Sequence, residues 1–145
     1  RYLVWRPHSR VDETEAFLRE CLRVWDSGNE FTWALTLKGS GKGSEGPIGM
    51  VACRRRGYKA EIGYVLARDY WGRGIMTEAA SRVVDWALAF PEVYRVWATC
   101  DVDNPASARV LEKIGMVREG ILRRWIIHPN VSHEPRDFFV YAKVK

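Results

Sequence analysis

The sequence is poor in the residues that build metal centres and disulfide frameworks. It has three cysteines and three histidines, and Cys21, Cys53 and Cys100 are widely spaced without a C-x-x-C pair. Neither a disulfide framework nor a zinc site is therefore expected, and no metal is predicted. The three cysteines are predicted to be buried, reduced thiols.

Long apolar runs are also missing. Stretches such as residues 87–90 fall far short of the roughly 18 residues that a membrane span needs, and no charged-then-apolar leader opens the chain. These absences predict a soluble, cytoplasmic protein without a membrane partner. Because a natural translation product starts with Met, Arg1 indicates that a short leading segment precedes this sequence.

What the sequence does contain fits a single domain over residues 1–145. A chain of 145 residues, 47% of them hydrophobic, is long enough to bury a substantial core but too short for two ordinary domains. The net charge of +5 favours binding to an anionic partner. Nucleic acid, a ribosomal surface and a phosphorylated cofactor are the three alternatives. Charge alone does not choose among these three.

Hydrophobic periodicity and turn residues predict the element order β-α-β-β-β-α-β-α-β-β. The first half comprises an opening strand at residues 2–6, a helix that ends near residue 26, and an antiparallel meander with strands at residues 31–37, 48–53 and 60–66. A stretch rich in glycine and serine at residues 39–46 is predicted to be a mobile hairpin loop within this meander.

The second half comprises an amphipathic helix over residues 75–90, a strand at residues 94–101, a helix over residues 105–114, and two strands at residues 119–127 and 137–144. The first of these helices places its apolar residues on one side, namely Ile75, Ala79, Val83, Trp86, Ala87 and Phe90. The helices are too sparse for a doubly wound sheet. The predicted fold class is therefore α/β (α+β), with a single mixed, largely antiparallel sheet flanked by helices.

A glycine-rich turn leads from the third meander strand into the amphipathic helix. Such a turn leaves several backbone N–H groups unpaired beside the positive end of the helix dipole, where phosphate binds well. Glycine at positions 72 and 74 lets a pyrophosphate approach these amides, and Arg73 adds positive charge. A tight turn that simply needs glycine explains the same residues equally well.

Two familiar phosphate motifs do not fit. Thr77 stands where G-x-G-x-x-G requires its third glycine, so a dinucleotide site is not expected. In the loop at residues 39–46, Gly43 occupies the Ser/Thr position of a P-loop, and the chain continues into a strand instead of a helix.

Over nearly its whole length, the sequence resembles the GNAT acetyltransferases, and more narrowly the ribosomal-protein alanine and serine N-acetyltransferases. The similar stretches are residues 6–7, 62–66, 70–79, 104–107 and 112–116. The signature of the superfamily falls on Trp71, Gly74 and Met76, and Met76 is bulkier than the small residue expected there. The resemblance implies a GNAT-like fold with acetyl-CoA as co-substrate. The coenzyme-binding residues that it implies are Tyr64, Val65, Leu66, Trp71, Gly72, Arg73, Gly74, Ile75, Met76, Thr77 and Asn104.

The resemblance also implies two catalytic candidates. Ser107 follows Asn104 in the N-x-x-S position whose serine protonates the departing thiolate, whereas many GNAT enzymes use a tyrosine where this sequence has Leu111. Glu61, on the strand that approaches the thioester, is the candidate general base, although a solvent-facing glutamate explains it as well. Asn104 before Pro105 is also typical of an ordinary helix N-cap. This structural role and the binding of the coenzyme can coexist.

The implied reaction is transfer of the acetyl group of acetyl-CoA to a primary amine, by direct attack in a ternary complex. The cleft lies between the strand ending near Leu66 and the strand ending near Asp101. Protein N-terminal Ala or Ser, ribosomal proteins and small-molecule amines all remain open as acceptors, and so does a homodimer. The alternative is a non-catalytic acyl-CoA-binding or ribosome-associated module with the same fold. Specific nucleic-acid binding is not predicted, because no base-reading motif is recognised.

Overall fold

A single six-stranded sheet and three helices make up the computed structural model, which describes residues 2–38 and 46–145. The elements are α1 (Val11–Asp26), β1 (Glu30–Leu35), β2 (Gly49–Arg56), β3 (Lys59–Leu66), a 3-10 turn (Arg68–Tyr70), α2 (Ile75–Ala89), β4 (Arg95–Asp101), α3 (Pro105–Lys113), β5 (Val117–Ile126) and β6 (Arg136–Val144). Across the sheet the strand order is β1-β2-β3-β4-β6-β5. All neighbours are antiparallel except β3 and β4, which are parallel.

The predicted fold class is confirmed, and the predicted order of elements holds from α1 onward. The opening strand at residues 2–6 is wrong, because this segment forms no strand. Its polar groups are bound by distant residues instead. The Tyr2 hydroxyl donates to the carbonyl of Asp103 at 2.8 Å, and the Asn130 amide donates to the carbonyl of Trp5 at 2.8 Å. No strand of the sheet pairs with the backbone of this segment, so it lacks the ladder of hydrogen bonds that makes a strand.

The predicted meander is confirmed as the antiparallel strands β1, β2 and β3. β1 pairs with β2 from Glu30 opposite Arg54 to Leu35 opposite Gly49, and β2 pairs with β3 along its whole length. The glycine-rich loop predicted at residues 39–46 lies outside the described residues, apart from Gly46.

One face of the sheet is covered by α2 and α3. Because side chains alternate along a strand, the buried residues of four strands point to this face, including Val51, Cys53, Ile62, Val96, Ala98 and Tyr141. The buried side of α2 consists of Met76, Ala80, Val84 and Ala87. Of the predicted side, Ala87 is fully buried, whereas Ile75, Ala79 and Val83 are only partly buried and flank the contact. Small alanines at the contact let the helix approach the sheet, and Trp86 packs at the border against Phe31 and Trp33.

α1 lies beside β1, at the edge of the sheet. None of its residues is buried, and Trp25 contacts the rings of Phe31 and Trp33 at 5.2 and 5.3 Å. Val11 and Leu22 remain largely exposed. Despite these apolar residues, no helix within residues 2–38 and 46–145 is long and apolar enough to cross a membrane.

Candidate active site

A wedge-shaped cleft opens between β3 and β4. The two parallel strands share three register pairs, the last of which joins Glu61 to Trp97. Beyond that pair, β3 runs on to Leu66 and β4 to Asp101 without pairing with each other. The backbone groups of residues 62–66 that face β4 therefore have no strand partner and line one wall of the cleft. The cleft lies where the sequence predicts it.

The turn between β3 and α2 presents a row of backbone N–H groups. In the described part of the chain, no hydrogen bond is donated by the backbone N–H groups of residues 72–77, and α2 has no side-chain N-cap. Gly72 and Gly74 adopt positive φ angles of 75° and 78°. Nothing lies within 4 Å of where a Cβ would stand on either glycine, so the space in front of the amides is open. Unpaired amides at a helix N-terminus form a site for an anion such as pyrophosphate.

The side chains of the turn leave this space free. Trp71 is held to the end of β3, because its indole N–H donates to the carbonyl of Leu66 at 2.8 Å. The Arg73 guanidinium lies 5.4 Å from the centre of the Tyr70 ring. Met76 is buried in the core at 5% exposure, so its side chain points away from the open amides. Its bulk therefore does not disturb the turn, although the sequence signature expects a small residue there.

A pair of hydroxyl groups joins β3 to α3 across the cleft. The Tyr64 hydroxyl lies 2.9 Å from Ser107 Oγ and donates to the Ser107 carbonyl at 3.1 Å. Asn104 is the N-cap of α3, as predicted, and its Oδ1 accepts a hydrogen bond from the Ser107 N–H at 3.2 Å. Sequence analysis placed Tyr64 among the coenzyme-binding residues but did not predict this contact of its hydroxyl. The two residues are 43 positions apart, and no local pattern connects them.

The Tyr64 hydroxyl and the neighbouring Cys100 thiol are held in their neutral forms. Burial raises the pKa of Tyr64 well above its ordinary value, and the hydrogen bond with Ser107 opposes this only in part. Burial also raises the pKa of the neighbouring Cys100 thiol to about 11, against a hydrogen bond with Ser107. Both groups therefore stay protonated near neutral pH. Cys53 and Cys100 are buried free thiols, as predicted, whereas Cys21 is only partly buried.

Glu61 is not brought together with Ser107. Tyr64 points to the sheet face that α2 and α3 cover, so alternation directs Glu61 to the opposite face. Glu61 is partly buried, and no hydrogen bond or ion pair of its side chain is found among the described residues. Leu111, which stands where many GNAT enzymes have a tyrosine, is fully buried in the core.

A buried charge cluster at the end of β4 was missed by sequence reasoning. Asp101 is 1% exposed, and Arg136 donates to its two carboxylate oxygens at 2.6 and 3.1 Å. Burial would raise the pKa of Asp101, but hydrogen bonds from Arg136 and the Asp103 N–H hold it below its ordinary value. The buried His128 ring stacks on Phe138, with Nε2 3.5 Å from the Asp101 carboxylate. The cluster ties β4 to β6 and to the preceding loop.

Within the described residues, no group of three or more His, Cys, Asp or Glu side chains is placed to hold a metal ion. The anion site between β3 and α2 and the cleft beside it both present unpaired backbone groups. Their backbone groups fit a ligand with a phosphorylated end and an extended arm.

Comparison with known proteins agrees with this geometry. The family model described as acetyltransferase (GNAT) domain matches residues 1–117. The uncharacterized N-acetyltransferase YoaA of Bacillus subtilis (strain 168) is 35% identical over 145 residues, which cover the whole chain and 80% of YoaA. The ribosomal-protein-serine acetyltransferase of Escherichia coli (strain K12) is 35% identical over 65 residues, or 45% of this chain and 36% of that protein.

A solved structure shares the fold. The microcin C7 self immunity acetyltransferase MccE, in complex with acetyl-CoA and AMP, superposes with a TM-score of 0.80 at 21% identity. The superposition covers 94% of this chain and 73% of that one.

Proposed function

Since this chain belongs to the acetyltransferase (GNAT) family and is an acetyl-CoA-dependent N-acetyltransferase, we propose that its acceptor is the N-terminal α-amine of a protein, with Ala or Ser as the first residue. The observation that carries the proposal is the cleft between β3 and β4, which opens beside the unpaired amides of residues 72–77. The N-x-x-S arrangement of Asn104 and Ser107 supports this acceptor class, and so does the similarity to the ribosomal-protein-serine acetyltransferase.

The coenzyme site is formed by backbone groups. The amides of residues 72–77, with Arg73 beside them, are proposed to bind the pyrophosphate of the coenzyme. The open space in front of Gly72 and Gly74 accommodates it. The free edge of residues 64–66 would hold the pantetheine arm and stabilise negative charge on the carbonyl oxygen. When bound, the coenzyme supplies a thioester as the acetyl donor.

The acceptor is expected to enter from the face of the sheet that α2 and α3 leave uncovered. Glu61 lies on that face, beside Trp97, at the point where the cleft begins. An α-amine has an ordinary pKa of about 7.7 to 8.0, so roughly a tenth to a sixth of it is already neutral and nucleophilic at pH 7. Glu61 is proposed to accept the remaining proton, directly or through water. A lysine, with a pKa near 10.4, would need a stronger base.

Ser107 is proposed to donate its hydroxyl proton to the sulfur as the carbon–sulfur bond breaks. The Tyr64 hydroxyl, which stays protonated near neutral pH, fixes the position of Ser107 through contacts with its Oγ and its carbonyl. Glu61 releases the proton of the amine to water and Ser107 regains a proton from water, so the proton that leaves the amine balances the proton that the thiol gains. Tyr64 is therefore a positioning residue, whereas Ser107 and Glu61 are the proposed catalytic residues.

An acceptor panel tests this function. Purified protein is incubated with acetyl-CoA and one of several amines: peptides with free N-terminal Ala or Ser, the same peptides blocked at the N-terminus but carrying an internal lysine, or spermidine. Release of free thiol and the mass of each peptide are measured. We expect turnover on the free N-termini and little on the blocked peptides.

Two results would contradict the proposal. Preferential acetylation of lysine or spermidine would overturn the acceptor class while leaving the acetyltransferase activity in place. Calorimetry that shows acetyl-CoA binding without turnover on any amine would favour the non-catalytic module instead.

A further inference from the structure

A surface groove begins at the turn before α2 and follows the exposed side of that helix. The groove has a volume of about 480 Å³ and extends from Gly74 and Thr77 to Lys113 at the end of α3. Gly74 and Thr77 also belong to the row of unpaired amides. The groove is therefore continuous with the anion site and runs outward from it, away from the cleft.

Two cationic side chains line the groove without forming an ion pair in the part of the chain that the structure describes. Arg82 and Lys113 line it, and neither has an ion pair or a side-chain hydrogen bond among the described residues. Of the two carboxylates in the groove, Asp85 is paired with Lys143 at 3.3 Å. Glu78 is the other, and it has no ion pair within the described chain. Two cations against one unpaired carboxylate leave the groove net positive.

The position of Arg82 suits a ligand that is anchored at the turn. Gly74 and Arg82 are about 12 Å apart along the helix axis, at about 1.5 Å per residue. Long helical side chains lean towards the helix N-terminus, so a side chain at position 82 is placed to reach back towards the anion site. Between the two ends lie the hydroxyl groups of Thr77 and Ser81, which are neutral hydrogen-bonding partners.

We propose that Arg82 and Lys113 bind the 3′-phosphate of the coenzyme's adenosine, so that the groove discriminates coenzyme A from its form without this phosphate. The inference rests on the coenzyme site proposed above, because a pyrophosphate at residues 72–77 leaves the adenosine to extend along α2. A phosphate monoester carries a charge of about −1.5 to −2 at pH 7, and Arg and Lys are the side chains that bind it. The dephosphorylated coenzyme has a neutral hydroxyl at the same position.

Calorimetric titration of the full chain with coenzyme A and with dephospho-coenzyme A tests the proposal. We expect coenzyme A to bind about tenfold more tightly, since two exposed charge contacts each contribute about three- to fivefold. Arg82→Gln and Lys113→Gln should each lower the affinity for coenzyme A by about three- to fivefold. The affinity of both variants for dephospho-coenzyme A should be unchanged. Arg109→Gln is the matched control, because Arg109 is an exposed cation on α3 outside the groove. This variant should change neither affinity.

The outcomes separate the two proposals. Equal binding of both coenzyme forms by the unchanged protein would overturn the 3′-phosphate site and leave the acetyltransferase function standing. Weaker binding of both forms to the Arg82 and Lys113 variants would also overturn it, because the effect would then concern the pyrophosphate. Failure of both forms to bind the unchanged protein would overturn the coenzyme site itself.

Discussion

The two sides of the cleft are held in place by different kinds of contact. On the side of β3 and the turn before α2, consecutive residues present backbone groups, and Gly72 and Gly74 supply the positive φ angles. On the side of β4 and α3, side chains from distant positions meet, as Asp101 does with Arg136. Substitutions on the first side should therefore act on coenzyme binding, and substitutions on the second on stability and turnover.

The largest effect is expected at the end of β4. Asp101→Asn should lower the free energy of unfolding by about 3 kcal/mol, because it removes the buried carboxylate of the pair and leaves Arg136 only its exposed contact with Asp103. Since the folded-state pKa of Asp101 lies below the unfolded value of about 3.9, the carboxylate stabilises the fold above that pH. This contribution is lost as the pH falls through the folded-state pKa. Urea unfolding at pH 7 and pH 3 measures both effects.

Asp103→Asn is the control for this prediction. Asp103 contacts the same Arg136 at 2.5 Å, but its side chain is 67% exposed, so the loss should stay below about 1 kcal/mol. Equal losses of stability in the two variants would show that burial does not distinguish these carboxylates. The contrast between the two sides of the cleft would then weaken.

The next largest effect is expected at the turn before α2. Gly74→Val should weaken acetyl-CoA binding by about a hundredfold, since a branched side chain at a φ of +78° strains the turn and fills the space in front of the amides. Calorimetry measures the affinity. Gly28→Val is the matched control, because Gly28 has a φ of +72°, is similarly open, and lies at the end of α1. Both variants should lose about 1 to 2 kcal/mol of stability. Similar affinities of the two variants for acetyl-CoA would refute the proposal that the backbone amides of the turn bind the coenzyme.

A smaller effect is expected at the hydroxyl pair. Ser107→Ala should lower kcat about thirtyfold and leave the affinity for acetyl-CoA unchanged, because the hydroxyl acts on the departing thiolate and not on the bound ground state. Steady-state kinetics with a Ser-initiated peptide measures this. Ser107→Thr keeps a hydroxyl and should recover most of the rate. A loss of affinity at constant kcat would assign Ser107 to binding instead.

The smallest effect is expected at Tyr64. Tyr64→Phe keeps the ring and removes the hydroxyl, so stability should fall by about 1 kcal/mol and kcat by about three- to fivefold. In a Ser107→Ala background the same change should have no further effect on kcat, since a positioning residue acts only through its partner. Additive losses in the double variant would indicate that Tyr64 acts on the reaction independently.

The difference between local backbone features and contacts of distant side chains also explains what the sequence could predict. The turn at residues 71–77 and the N-cap at Asn104 are local features, so residue types and spacing identified both. Helices and strands from α1 onward followed from periodicity for the same reason. The segment at residues 2–6 has strand-like composition but lacks a strand partner, and composition alone cannot supply one. On α2, periodicity identified Ala87 as buried but did not identify Met76, Ala80 and Val84, which lie next to the predicted side.

The contacts between distant side chains escaped prediction because the sequence has no local pattern that connects them. Arg136 and Asp101 are 35 positions apart, and Tyr64 and Ser107 are 43 apart. Neither pair has a spacing that a helix or strand repeat would reveal. His128 had no recognisable ligand spacing either, and only the folded chain places it against Asp101 and Phe138.

The short contact between β3 and β4 also affects how cooperatively the sheet unfolds. Three parallel register pairs join two antiparallel ladders, one made of β1, β2 and β3 and the other of β4, β6 and β5, so the sheet has a weak seam. α2 packs on both ladders and bridges this seam. Hydrogen exchange should therefore divide the sheet into two opening units, with fast-exchanging amides where residues 62–66 face the cleft. A coenzyme bound across the seam would couple these units, so saturation with it should slow exchange in both.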